Sequence, residues 1–244
     1  MNDNLIKHEL ADEVLKNVLK EDAAKADFSK YKKNNMSTSW LYMQDKSAKW
    51  ILQLNINNRI YGGFATEPYK LFLSHAKEFS IIAIKLQNSF NTKIVNSWTL
   101  NNFKLEFIEQ NTFDVFLLSK INCIVFLIMA VESYVNAIIP YNFSLNDEDI
   151  NTIEKKYSLR QKFHDIIPKI KQIDDIVLYQ NKYSQILNLN ELRHNFIHVK
   201  TSNSEITFDS FIKDYEDILK LDIENEYLII EDFIQMINQY QDVK

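Results

Sequence analysis

Glycine and proline are nearly missing from this chain: 2 and 3 residues among 244. Both glycines stand together at Gly62-Gly63. A Gly-x-Gly-x-x-Gly turn or a P-loop needs glycines spread over positions where the backbone approaches a phosphate, so those nucleotide folds are excluded. α/β barrels and multi-turn β-sandwiches, which use Gly and Pro freely in their turns, are excluded too. Cysteine is down to Cys123, which allows no intrachain disulfide and no Cys-based zinc site, and fits a reducing cytoplasm. Long hydrophobic runs are also lacking. The longest, 121–131, lies between Lys120 and Glu132 and is shorter than the roughly 20 apolar residues of a membrane span, so it reads as a core helix. Residues 1–10 have no apolar stretch of the kind a secretory signal needs. Arginine is scarce beside abundant lysine: only Arg59, Arg160 and Arg193. Where Lys is the default cation, each Arg raises the question of why a planar, bidentate donor stands there.

Hydrophobic residues make up 46% and charged residues 25%, the balance of a folded globular chain. A formal net charge of −5 does not favour nucleic acid in bulk, so any such contact must be local. The sign divides along the chain. Residues 1–111 carry an excess of three basic groups, and residues 112–241 an excess of eight acidic ones. Within the acidic part, 155–171 is locally basic: Lys155, Lys156, Arg160, Lys162, Lys169 and Lys171 against Asp165. That stretch is either a solvated helix face or a docking face for phosphates.

The hydrophobic spacing predicts a mostly α-helical protein. Residues 1–35 read as a charged helix with a narrow stripe of Leu5, Leu10, Val14, Val18 and Leu19. Residues 50–61 read as a hairpin with an Asn57-Asn58 turn. Glu67-Pro68 opens a helix over 68–90, because Pro is tolerated in a first turn. Residues 93–109 form a second hairpin around Asn101-Asn102, in which Phe103, Leu105 and Phe107 alternate with Lys104, Glu106 and Ile108. From 112 onward the pattern is helical throughout: 113–139, 147–170 with Ser144 or Asn146 as cap, 177–200, 207–220 and 223–241. Helices of this length joined by short polar loops predict an antiparallel bundle. The expected organisation is an N-terminal helical extension with a small hairpin, 1–111, followed by the bundle, 112–244.

The residues able to carry chemistry gather in 190–200. Glu191, Arg193, His194, Asn195, His198 and Lys200 stand between the core positions Leu189, Leu192, Phe196 and Val199. At about 100° per residue, Glu191, His194 and His198 share one face. Arg193 sits about 140° from His198 on a regular helix, so the two converge only where the helix ends or distorts, or across a partner chain. Polar groups this dense beside a core stripe are costly to bury unpaired and must face a cleft or a second subunit. On the long apolar helix, Glu132 and Asn136 lie one turn apart on one face. A buried carboxylate there needs a cation, and Arg193 is the candidate. His194 and His198, with Glu191 three residues before His194, offer a rival use as metal ligands. A di-iron bundle needs a second Glu-x-x-His, which the chain lacks, so neither metal nor cofactor is expected.

The run Leu192-Arg193-His194-Asn195-Phe196-Ile197-His198 resembles the Arg-x4-6-His motif of the HEPN superfamily. It has a polar residue directly after the Arg and apolar residues before the His. The segment 128–136, with Glu132 and Asn136, resembles the long first helix of HEPN bundles. The likeness covers roughly 112–241. It implies a metal-independent endoribonuclease of the toxin–antitoxin or anti-phage kind, in which two copies of the motif meet at a homodimer interface. In that setting His198 is the acid/base, Arg193 the phosphate clamp and His194 a positioning or proton-sharing group, with Glu132, Asn136, Asn195 and Glu191 in support. RNA is then the substrate, and an antitoxin or regulatory protein a further partner. The alternatives are a non-catalytic dimeric module of the same fold and a nucleotide-binding accessory protein.

Overall fold

A computed structural model describes residues 5–7, 40–44, 47–56, 59–64, 66–100, 103–140, 142–174, 183–197 and 208–240. The chain divides into two compact units, Met1–Glu67 and Pro68–Lys244. The division at 67/68 differs from the expected one at 111/112.

In the first unit the described residues form a four-stranded sheet in chain order: β1 (Leu5–Lys7), β2 (Trp40–Gln44), β3 (Ser47–Ile56) and β4 (Arg59–Phe64). Every pairing is antiparallel. The β3–β4 pair is the hairpin expected over 50–61, closed by Ile56 opposite Arg59. The helix expected over 1–35 is corrected at Leu5–Lys7, which pairs as a strand with Trp40–Tyr42. Its remainder lies outside the described residues. A stripe read at helical spacing carries no information about a partner strand more than thirty residues away, and that tertiary pairing overrides the local pattern.

The second unit is mostly helical. It contains α1 (Pro68–Ser89), the hairpin β5 (Ile94–Leu100) and β6 (Phe103–Ile108), α2 (Gln110–Ile138) and α3 (Ile150–Lys156). Then comes α4, a continuous run of Leu159–Gln161, a π turn at Lys162–Ile166, and Ile167–Lys171. The chain continues as α5 (Tyr183–Ile197), α6 (Phe208–Lys220) and α7 (Ile223–Gln239). The hairpin expected over 93–109 is β5–β6, with Leu100 opposite Phe103 and an irregularity between Ile94 and Asn96. Its register puts Trp98, Leu105 and Phe107 on one face and Ser97, Thr99, Lys104 and Glu106 on the other.

The core forms around α2. Cys123, Leu127, Ile128, Val131 and Val135 are all fully buried. Ala76 and Ala83 on α1, Phe163 and Ile167 on α4, Tyr183 and Ile186 on α5, and Ile230 and Phe233 on α7 close around them. Small residues let α1 lie close to α2, and larger ones lock the pair: Phe72 and Phe79 stack on Phe126 at 6.2 and 5.7 Å. This packing is what joins 68–89 to the helices that follow. Although the uninterrupted apolar run is short, α2 as a whole is long and apolar enough, by length and composition, to cross a membrane. Half of its most apolar window is buried in the structure.

The helix caps are local and specific. Asp149 Oδ1 accepts from the Thr152 N–H at 2.9 Å and opens α3, so the expected caps Ser144 and Asn146 are corrected. Asn146 and Asp147 instead have positive φ, 53° and 62°, in a turn closed by the Leu145–Glu148 bridge. Asn and Asp tolerate that left-handed conformation better than most residues. Ser158 and Gln161 form a reciprocal capping box at the start of α4, and Asp222 caps α7 through the Asn225 N–H at 3.1 Å.

Candidate active site

Three helices bring polar groups together beside the core. α2 supplies Glu132 and Asn136, one turn apart on a helix that is mostly apolar in this region. α5 supplies Arg193, whose apolar neighbours Leu189 and Leu192 turn into the core. α4 supplies Lys162, at the first position of the π turn. That turn lies just before Pro168, whose ring crowds the His164 carbonyl in a regular α turn; widening the helix there relieves the clash.

Arg193 and Glu132 form the expected pair, with Nη1 3.8 Å from Oε1 and side chains 23% and 39% exposed. The separation is that of an ion pair, too long for a hydrogen bond. The Arg193 Nε is buried and has no hydrogen-bond partner among the described residues. Beside it, Ile121, Ile124, Phe196 and Ile218 complete a shallow apolar depression into which the arginine is set. The unpartnered Nε therefore faces the interior, and only the exposed part of the guanidinium side chain could meet an anion.

Lys162 is only 5% exposed. Its Nζ donates to Asn136 Oδ1 at 2.8 Å and to the Glu154 backbone carbonyl at 2.9 Å. Burial pushes its amine below the ordinary lysine range, and the charges of Glu132 and Glu154 act in the opposite direction. The basic stretch 155–171 is therefore neither a uniformly solvated face nor a uniform docking face. Lys162 and Lys171 are buried, Lys156 pairs with Glu148 at 3.5 Å, and Arg160 pairs with Glu191 at 3.6 Å. Sequence reasoning counted Lys162 as one of six surface cations. The available signal was its place in the series Leu159, Phe163, Ile166 and Ile167, which puts it on the buried face of α4.

The remaining candidates are placed differently. Glu191, His194 and Asn195 are exposed, and Glu191 turns to Arg160 rather than to Arg193. The structure thus assembles Glu132, Asn136, Lys162 and Arg193, and does not bring Glu191 or Asn195 into that group. α5 is described as far as Ile197, so His198 lies outside the described residues. Among the described residues no three His, Cys, Asp or Glu side chains converge.

Two cations, Lys162 and Arg193, stand here against two carboxylates, Glu132 and Glu154, whose charges both act on the lysine. Of these groups the arginine is the one whose chemistry suits a phosphate, as a directional donor. Compared with protein-family models, curated proteins and solved structures, the chain finds no match.

Proposed function

We propose that the protein is a metal-independent endoribonuclease with a HEPN-like bundle in its C-terminal half. One observation carries the reading: Arg193, partly exposed and held by Glu132 only at ion-pair distance, stands five residues before His198 in the stretch of sequence that resembles the family motif. In the proposed reaction the ribose 2′-oxygen attacks the adjacent phosphorus. The new O2′–P bond forms as the P–O5′ bond breaks, giving a 2′,3′-cyclic phosphate and a 5′-hydroxyl. One imidazole takes the 2′ proton and another gives a proton to the departing O5′, work suited to groups that titrate near neutrality. Arg193 stabilises the charge that builds on the phosphorane, where its fork matches two oxygens. The resemblance implies a homodimer in which two motifs meet, with His198 and His194 of each chain at the shared site. An enzyme of this kind needs restraint inside its own cell, which makes an antitoxin or other regulatory protein a partner, and the cytoplasm its place of action.

The test is incubation of the purified protein with RNA in EDTA, followed by analysis of the ends. The reading expects cyclic phosphate and 5′-hydroxyl termini without added metal. His198→Ala should slow turnover by about 10²–10⁴-fold with RNA binding nearly intact. Arg193→Lys, which keeps the charge but loses the fork, should recover little activity. Cleavage that stops with chelator and returns with zinc or magnesium points instead to metal chemistry. A single-species monomer in sedimentation that still cuts RNA removes the composite site.

A second reading, a non-catalytic dimeric module of the same fold, is favoured by the ion pair itself. If Arg193 serves only to neutralise Glu132, Arg193→Lys is tolerated and Arg193→Ala lowers the melting temperature with no cleavage to lose.

A further inference from the structure

The β5–β6 hairpin takes no part in the site above. Among the described residues it is a sheet of two strands, an arrangement that is marginal in water unless something adds to it. Its apolar face lies open: Trp98 is 60% exposed, Phe103 66% and Leu105 43%. Trp98 meets Phe107 edge to face at 4.6 Å on that same face. A cluster of exposed apolar side chains on a folded domain marks a contact surface.

The two edges of the hairpin differ. β5 carries the irregularity between Ile94 and Asn96, and a bulge turns an edge away from further pairing. β6 pairs residue by residue from Phe103 to Ile108, and its other edge meets no strand among the described residues. Residues 103–106 are exposed on both faces. This edge reads Phe103-Lys104-Leu105-Glu106-Phe107, which is self-complementary about Leu105. Rotating a second copy by 180° about Leu105 sets Leu105 against Leu105, Phe103 against Phe107, and Lys104 against Glu106. Within one chain Lys104 and Glu106 already pair side by side on the polar face. Across the two-fold each cation also gains a carboxylate directly opposite, the favourable cross-strand arrangement. The alternatives are poorer. A slip of one residue sets apolar faces against polar ones, and a slip of two brings Lys104 against Lys104 or Glu106 against Glu106.

We propose that β6 is a self-association edge: two copies of this chain pair antiparallel through 103–107 and join their hairpins into one four-stranded sheet. The outward N–H and C=O groups of each edge are satisfied by the other. Trp98, Phe103 and Leu105 of both copies then form one continuous apolar face. The contact is isologous, as a two-fold axis requires. It stands on the hairpin alone and does not rest on the nuclease reading.

The experiment is analytical ultracentrifugation of the full chain over about 1–100 µM, the range in which so small an interface should associate. Four samples are compared with wild type: Lys104→Glu, Glu106→Lys, an equimolar mixture of these two, and the double variant with both charges exchanged. Wild type should associate with rising concentration. Each single variant sets like charges against each other twice, so its self-association should weaken on the order of 10-fold or more. The mixture should regain the wild-type mass, because a chain with Glu at both positions faces a chain with Lys at both. The double variant, whose charges again alternate across the two-fold, should regain it alone. Both side chains are exposed, so the variants should give the circular dichroism spectrum of wild type; the double variant also keeps the net charge. Association that the single variants leave unchanged overturns the proposal, as does a mixture that stays dissociated. A wild-type chain that remains monomeric at the top concentration overturns it too and assigns the apolar face to a different partner. RNA cleavage plays no part in these readouts, so the charge-exchange pattern in a protein that cuts no RNA supports the hairpin contact and counts only against the nuclease reading.

Discussion

Cys123 shows how far a single side chain is governed by its position. It is fully buried on α2, and its thiol is pushed up from about 9 to about 12, first by burial and then by repulsion from Glu226. The thiolate is the reactive form, so the native protein should not react with a thiol-specific reagent at pH 8, and one equivalent should react once urea unfolds it. Rapid native labelling would contradict the burial. The linkage has a definite sign. A folded-state value above the unfolded one means that the native chain holds its proton longer, so stability from this group is intact below pH 9 and is lost as pH rises toward 12. Lys120 and Lys162, whose values burial lowers, have the opposite sign and favour the folded state as pH rises toward the ordinary lysine range. The Glu132–Arg193 pair was legible in the sequence because one carboxylate on an apolar helix demands a cation, and arginines are few. Lys162 was not, because a lysine in a basic stretch looks like surface until its helical neighbours are seen to be buried.

Three of the described helices, α3, α4 and α7, open on a side-chain cap. Asp222 opens α7 by accepting from the Asn225 N–H, which satisfies a donor that the helix itself leaves unpaired. Asp222→Ala should cost about 1 kcal/mol, and Asp222→Asn, also a good cap, only a few tenths. In a domain of this size the Ala variant should melt roughly 2–4 °C lower, and equal melting of wild type and Ala would show that the cap contributes nothing. At the other end of α6, Lys120 on α2 donates to the Leu219 carbonyl at 2.7 Å, a cation placed where the helix dipole is negative. The β5–β6 hairpin was readable from alternation on both sides of Asn101-Asn102, and α2 from its apolar content. The α3 cap was misread because Ser144 and Asn146 have the right chemistry in the wrong place: Asn146 and Asp147 are committed to a left-handed turn. Strand β1 was misread because its partner is distant in sequence. Both errors have one cause, that backbone conformation set by a neighbour leaves little trace in the residue itself.

At the scale of the whole molecule, the boundary at 67/68 makes its own prediction. A chain of 68–244 should give a helical circular dichroism spectrum and a cooperative melt. A chain of 112–244, cut at the boundary that composition suggested, loses α1 and uncovers Phe126 and the α2 face against which Ala76 and Ala83 pack. It should be insoluble or molten, and a sharp melting transition for 112–244 would show that α1 is dispensable. The same packing bears on how the protein is made. The Lys120 ammonium waits for a carbonyl 99 residues downstream, and the Tyr134 hydroxyl waits for the Asn238 side chain, 104 residues on. At about 5–20 residues per second, α2 leaves the ribosome several seconds ahead of the segments that complete its surroundings. Of the described helices, α1 alone precedes it. During that interval, among the described helices, a helix apolar enough by length and composition to cross a membrane has only α1 to cover its face, so the early pairing of α1 with α2 shields apolar surface before the rest of the core exists.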